Sequence, residues 1–132
     1  MSDEMYERGL EIRKEVLGAE YVEKALANAP AFAQDFQRHL TECCWGAVWS
    51  GEALDRRQRS LLNLGMLAAM GRMTEWELHF KGAITNGLSL DELQEALLQI
   101  SVYCGAPAGV ECFRIATRVL GELGLDQVDE TS

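Results

Sequence analysis

The chain has 132 residues, 48% of them hydrophobic and 25% charged, with two prolines, a balance that builds a packed core and excludes a disordered or collagen-like chain. Twelve Lys and Arg against 21 Asp and Glu leave a net charge of −9, which argues against nucleic acid as the main partner, so an anion needs a local cluster of Arg or Lys. The N-terminus is charged throughout rather than basic and then apolar, and the longest apolar run, Leu61 to Met70, is about half the ~20 residues of a membrane span; the expectation is one cytoplasmic domain over residues 1–132 with no membrane segment.

Ser2 is a candidate N-cap and Gly18 a candidate terminator of a first helix over about 3–17, in which Met5, Tyr6, Leu10, Ile12, Val16 and Leu17 share one side of the wheel. A second helix fits 19–28 and stops before Pro30. Pro30 suits the first turn of a third helix running through Phe32, Phe36, Leu40 and Cys43 or Cys44, and Gly46 and Gly51 predict that the chain leaves the helix around residues 46–54.

Asp55 is the natural N-cap of a fourth helix with a basic first turn, Arg56, Arg57 and Arg59, and an apolar body, SLLNLGMLAAM, ending at Gly71. Thr74 with Glu77 and Ser89 with Glu92 read as two capping boxes, opening helices over about 75–86 and 90–103 that Gly87 and Gly105 close. Pro107 starts a last helix through Val110, Phe113 and Leu120, and the tail over about 124–132 is expected to fray. No period-two pattern occurs, so the fold class is all-α, a bundle of about six to seven helices. The apolar surface of the fourth and sixth helices exceeds what a monomer of this size easily covers, which predicts a homo-oligomer.

Four cysteines, at 43, 44, 104 and 112, form neither a CxxC nor a Cys/His spacing of the zinc type, so no metal is expected and small core residues are the simplest reading. His39 lies among polar neighbours and reads as solvated. His79 has Glu75, Trp76, Gly82, Ala83 and Asn86 on its own face, which leaves room beside an imidazole, although a satisfied, partly buried histidine has the same spacing. Arg56, Arg57, Arg59, Arg72 and Lys81 are candidates for an anion site or solvated surface cations. Lys81, two residues from His79, should point away from it. Trp45 and Trp49 could wall a flat ligand, or belong to a core or subunit interface.

WGAVWS, then LDRRQRSLLNLGMLAAMGR, then ELHFKGAITNGLSLDELQEALLQISVYCGAPAG, in this order, resemble the carboxymuconolactone decarboxylase family over nearly the whole chain, most specifically from Glu77 to Gly109. The resemblance implies an AhpD-like fold and a trimer-based assembly, commonly a hexamer. It also implies a carboxy-lyase that needs no cofactor and converts the small anionic lactone 4-carboxymuconolactone to 4-oxoadipate enol-lactone in protocatechuate catabolism, the β-ketoadipate pathway. The related AhpD-like alkylhydroperoxidases use CxxCxxxH; with that His placed on His79, the cysteine positions hold Arg72 and Glu75, so the likeness to that branch is one of fold. Where the family tends to read His-Leu-Arg-Ala-Ala and Asn-Asn-Gly, this chain has Lys81 and Thr85; a Lys keeps the charge and loses the bidentate fork.

Such a reaction needs a donor for the developing lactone oxyanion, an acid for the α-carbon, cations for two carboxylates and a dry ring site. His79 is the candidate acid, or alternatively the oxyanion donor, with Glu75 to hold its tautomer. Arg72, Lys81, Arg56, Arg57 and Arg59 are candidates to bind the carboxylates, and Trp45 and Trp49 to cover the ring. Three alternatives stay open: a lyase or isomerase on another lactone or β-keto acid, a thiol-dependent peroxidase-type activity through Cys43, Cys44 or Cys104, and a non-catalytic oligomeric binding module.

Overall fold

The computed structural model describes residues 3–126, and Ser2, the expected first N-cap, lies outside them with most of the expected frayed tail. Among the described residues there are seven α-helices and no strand: α1 (Asp3–Leu17), α2 (Ala19–Asn28), α3 (Gln34–Leu40), α4 (Arg56–Met70), α5 (Met73–Thr85), α6 (Leu90–Cys104) and α7 (Ala106–Glu122). The chain gathers into two compact units that divide between Arg59 and Ser60.

In the first unit the expected single third helix is three pieces: a 3₁₀ turn (Ala31–Ala33), α3, and a π-helix (Thr41–Val48). Gly46, expected to break the helix, is instead a packing point. A Cβ on Gly9 would lie 2.1 Å from the carbonyl oxygen of Thr41 and 2.8 Å from the nitrogen of Gly46, so α1 and the π-helix touch backbone to backbone. Thr41, Trp45, Gly46 and Trp49 are buried, a spacing of four to five that suits the wider π turn, and the nitrogen of Trp49 bonds the oxygen of Cys44 at 3.0 Å. Ile12, Val16, Trp45 and Trp49 form this unit's core. Beside it the buried Arg13 donates to Thr41 Oγ1 (3.0 Å) and Gln37 Oε1 (3.1 Å).

The second unit is built on α5, α6, α7 and the body of α4, around Leu64, Trp76, Phe80, Leu97, Cys112 and Val119. Gly71, with φ 72°, turns the chain after α4 in a conformation open to glycine at no steric cost. Ser89 and Glu92 form the expected capping box, Glu92 N to Ser89 Oγ at 3.0 Å and Ser89 N to Glu92 Oε1 at 2.8 Å. Thr74 and Glu77 do not: α5 begins at Met73 behind Arg72, so Thr74 is already inside the helix, and no side chain caps its start. Glu77 instead takes Arg118 of α7 at 2.5 Å and Lys81 at 3.5 Å, and a tertiary partner on α7 outweighs a local cap. The last helix ends at Glu122, and its C-terminal turn is closed by a bond from Leu125 N to Leu120 O at 2.8 Å across Gly124.

Candidate active site

The second unit holds a row of polar contacts between α4 and α5. Trp76, wholly buried and stacked on Phe80 with ring centroids 5.2 Å apart, donates from Nε1 to the carbonyl oxygen of Leu64 at 3.1 Å. Asn63 Nδ2 lies 3.5 Å from His79 Nδ1, and Asn86 Nδ2 donates to Oγ of the fully buried Ser60 at 2.9 Å. Higher numbers on α5 meet lower numbers on α4, so the two helices run antiparallel and these contacts fix their register. The sequence singled out His79 and noted Asn86 on its face; it missed Ser60 and Asn63. The signal for Asn63 was an amide inside an otherwise apolar run, where it costs helix propensity and must find a partner.

His79 is half-buried between Trp76 and Phe80, both of which are fully in the core. Burial pushes its pKa below the ordinary 6.5, against the opposing field of Glu75, which favours the neutral ring. A neutral imidazole still donates one N–H, and a neutral donor beside a developing oxyanion stabilises it without carrying a charge in the resting site. Glu75 is exposed and sits 4.0 Å from Arg72, the residue before α5. The structure therefore brings Arg72, Glu75 and His79 to one side of α5, from its start to its middle, with Asn63 opposite from α4.

Lys81 is exposed and joined to Glu77, and through it to Arg118, in a surface network, as its two-residue offset from His79 requires. The Arg118 hydrogen bond holds the Glu77 carboxyl below its usual range. The remaining candidates lie in the first unit. Arg56 pairs with Glu15 at 2.8 Å, Arg57 is half-buried, and Arg59 donates from Nε to the carbonyl of Leu54 at 3.2 Å. Trp45 and Trp49 stack on one another at 4.8 Å in the core against Ile12 and Val16, only 3% and 6% exposed. As described they pack as core, with their faces on each other.

His39 lies 3.6 Å from Cys43 through Nδ1, on an exposed stretch. Cys43 and Cys44 are half-buried, Cys104 is exposed and Cys112 is buried, its thiol pushed up to about 11 by burial. Among the described residues no three His, Cys, Asp or Glu side chains gather as a metal site requires, and no helix is long and apolar enough to cross a membrane. A cleft lined by Leu61 and Gly65 of α4 and by Glu95, Ala96, Gln99 and Tyr103 of α6 is flanked by Asp91 and Glu92 and does not include His79. The carboxylates of Asp91, Glu92 and Glu95 along it make it a poor receptor for an anionic acid.

The model of the carboxymuconolactone decarboxylase family matches residues 34–118. A nitrosuccinic acid decarboxylase, npaB, of Metarhizium robertsii is 42% identical over 119 residues, 90% of this chain and 83% of its own. The 4-carboxymuconolactone decarboxylase of Acinetobacter baylyi is 41% identical over 126 residues, 95% of this chain and 94% of its own. An uncharacterized 15.0 kDa protein from the nqo9-nqo10 intergenic region of Paracoccus denitrificans is 29% identical over 85 residues, 63% of each chain. With the family model over most of its length and two decarboxylases aligned along nearly all of it, the chain belongs to the carboxymuconolactone decarboxylase family and is a carboxy-lyase.

Proposed function

We propose that this chain decarboxylates 4-carboxymuconolactone to 4-oxoadipate enol-lactone without a cofactor, with His79 as the central polar group. The observation that carries the reading is the half-buried His79 held against Asn63 in a chain aligned over 95% of its length with a 4-carboxymuconolactone decarboxylase. In this substrate the departing carboxylate sits on the ring γ-carbon. Its C–C bond breaks, CO2 leaves, and the electron pair runs through the ring double bond into the lactone carbonyl; a proton added at the α-carbon then completes the product. The ring is its own electron sink, so the protein's task is to stabilise the oxyanion and deliver a proton.

A neutral His79 fits the first task better than the second, because an uncharged imidazole is a weak acid and a good hydrogen-bond donor. Arg72, at the start of the same helix, is the proposed holder of a substrate carboxylate. Replacing Lys81, Arg56, Arg57 or Arg59 tests each of these other cations through KM, whereas Trp45 and Trp49 pack as core and are not part of the proposed site.

The second reading takes nitrosuccinic acid as substrate, favoured by the 42% identity to a nitrosuccinic acid decarboxylase. The two acids share a chemistry: each is a dicarboxylate whose scissile bond leaves its electrons on a carbon conjugated to an oxygen-bearing acceptor, a lactone carbonyl in one and a nitro group in the other. One oxyanion donor and one carboxylate holder serve both. The proposal includes a cytoplasmic homo-oligomer, a trimer or hexamer, supported by exposed apolar residues on α4 (Leu62, Met66, Met70) and α6 (Leu98, Val102, Tyr103), Tyr103 being 82% exposed. The deciding experiment supplies freshly prepared 4-carboxymuconolactone and nitrosuccinic acid separately and follows CO2 release and ultraviolet absorbance. On the first reading kcat/KM is at least about 100-fold higher for the lactone, which is roughly 3 kcal/mol of preference. The reverse order establishes the second reading, and no CO2 from either removes both.

A further inference from the structure

We propose that Asn63 is the positioning residue for His79, its side-chain amide donating to Nδ1 and so fixing the ring in the tautomer that carries its proton on Nε2. This rests on the reading of His79 as the group that meets the substrate. Four observations lead to it.

The first is chemical. The atom of Asn63 that faces His79 Nδ1, at 3.5 Å, is the amide nitrogen Nδ2. An amide nitrogen only donates, so in this orientation the contact suits a Nδ1 that accepts, and a neutral imidazole that accepts at Nδ1 carries its single proton on Nε2. The second is mechanical. Asn63 is not on a loose arm: its neighbour Leu64 is fully buried and receives Trp76 Nε1 at 3.1 Å, and Ser60, one turn earlier, is bonded to Asn86 at 2.9 Å. These contacts stand on either side of the Asn63–His79 pair along the same helix interface, so the amide is held where the ring is.

The third concerns cost. Asn63 stands in an apolar helical run, where an amide lowers helix propensity and must be desolvated in part. Hydrophobic residues would pack that position better, so the side chain needs a task, and His79 Nδ1 is the acceptor it meets. The fourth is the contrast with Glu75. Glu75 is the charged group whose field reaches the ring; it is exposed and turned toward Arg72 at 4.0 Å. A carboxylate on Nδ1 would accept a proton from it, place the N–H there and favour the imidazolium. An amide does the opposite, leaving an uncharged ring with its donor on the far nitrogen. The choice between Asn63 and Glu75 as the partner of Nδ1 therefore decides which edge of the imidazole donates to the substrate.

The test is ¹⁵N-resolved NMR of the histidine rings in the full chain, with the His79 signals assigned by their loss in H79Q. At pH 7.5 the wild type should show Nε2 protonated and Nδ1 unprotonated; protonated Nδ1 overturns the proposal. In N63D the carboxylate should move the proton to Nδ1 and raise the His79 titration midpoint by about one pH unit or more. N63D should also lower kcat/KM about 10-fold or more, mainly through kcat, and N63Q, which keeps an amide donor, should recover more of the rate than N63A. A folded N63D with the wild-type tautomer and midpoint overturns the proposal. If the tautomer follows Asn63 while His79→Ala retains full turnover, the positioning stands and the catalytic reading of His79 fails.

Discussion

Replacing Trp76 by Phe removes one of the contacts that fix α5 on α4, and its cost can be worked from the structure. The indole is wholly buried and its Nε1 donates to Leu64 O at 3.1 Å. The lost hydrogen bond is worth about 1 kcal/mol, and because Leu64 O is a helix-interior carbonyl, Phe leaves no acceptor stranded. Phe keeps the ring that stacks on Phe80 but leaves about 40 Å³ empty, which at about 24 cal/mol per Å³ adds ~1 kcal/mol, with the lost transfer energy of the missing ring carbons on top. The expected destabilisation is about 2–3 kcal/mol. Urea unfolding at fixed protein concentration, followed by circular dichroism so that the change of fluorophore does not matter, measures it as a lower midpoint with unchanged slope. Because Trp76 lies one turn before His79, turnover should fall too, by less than for His79 variants. A cost below about 0.5 kcal/mol would mean that the indole bond and its packing do not hold the interface, and the argument for a fixed α4–α5 register would fail.

Gly9→Ala should lose about 3 kcal/mol or more and yield a first unit that fails to fold at 37 °C, because its Cβ would stand 2.1 Å from Thr41 O and both neighbours are backbone; native yield and thermal scans read this out. Burial of His79 makes stability pH-dependent. Its folded pKa lies below 6.5, so the unfolded chain binds the proton first, and this contribution is intact above pH 6.5 and lost as pH falls through and below that value. Denaturation at pH 7.5 and 5.5 should show a loss in the wild type that is smaller in His79→Gln. Cys112, its thiol pushed up to about 11, should resist iodoacetamide at pH 7.5 until the protein is unfolded, and replacing Cys43 and Cys44 by Ser should leave kcat within a few-fold; a loss of several hundred-fold in a folded variant would restore a thiol mechanism.

The helices were legible because their ends are written locally. Asp55 and Gln58 satisfy each other's backbone at 2.8 and 2.9 Å, as Ser89 and Glu92 do, and Gly18, Gly71 and Gly105 adopt the positive φ that their places imply. Thr74 and Glu77 carry the same pattern and fail, because Glu77 is claimed by Arg118, 41 residues away, and no local rule contains that distance. The π-helix was hidden for a similar reason: its widening answers the close contact of Gly46 with α1, which exists only once the two are packed. His79 could be picked from the small residues on its face. Its partner could not, since Asn63 meets it only through the antiparallel register of α4 and α5, and Glu75, the neighbour that spacing suggests, lies beside Arg72. The arginines and tryptophans were chosen by residue type, and type alone does not separate Trp45 and Trp49 as core from walls of a site.

The most direct test of the central claim is steady-state decarboxylation of freshly prepared 4-carboxymuconolactone by His79→Ala and His79→Gln, with circular dichroism and light scattering as controls of fold and assembly. If His79 meets the substrate, kcat/KM falls by about 10² to 10⁴-fold in His79→Ala, roughly 3–5 kcal/mol of transition-state stabilisation, and the loss lies mainly in kcat. If both variants stay folded and turn over within about three-fold of the parent, His79 is a satisfied core histidine and the proposed site is wrong.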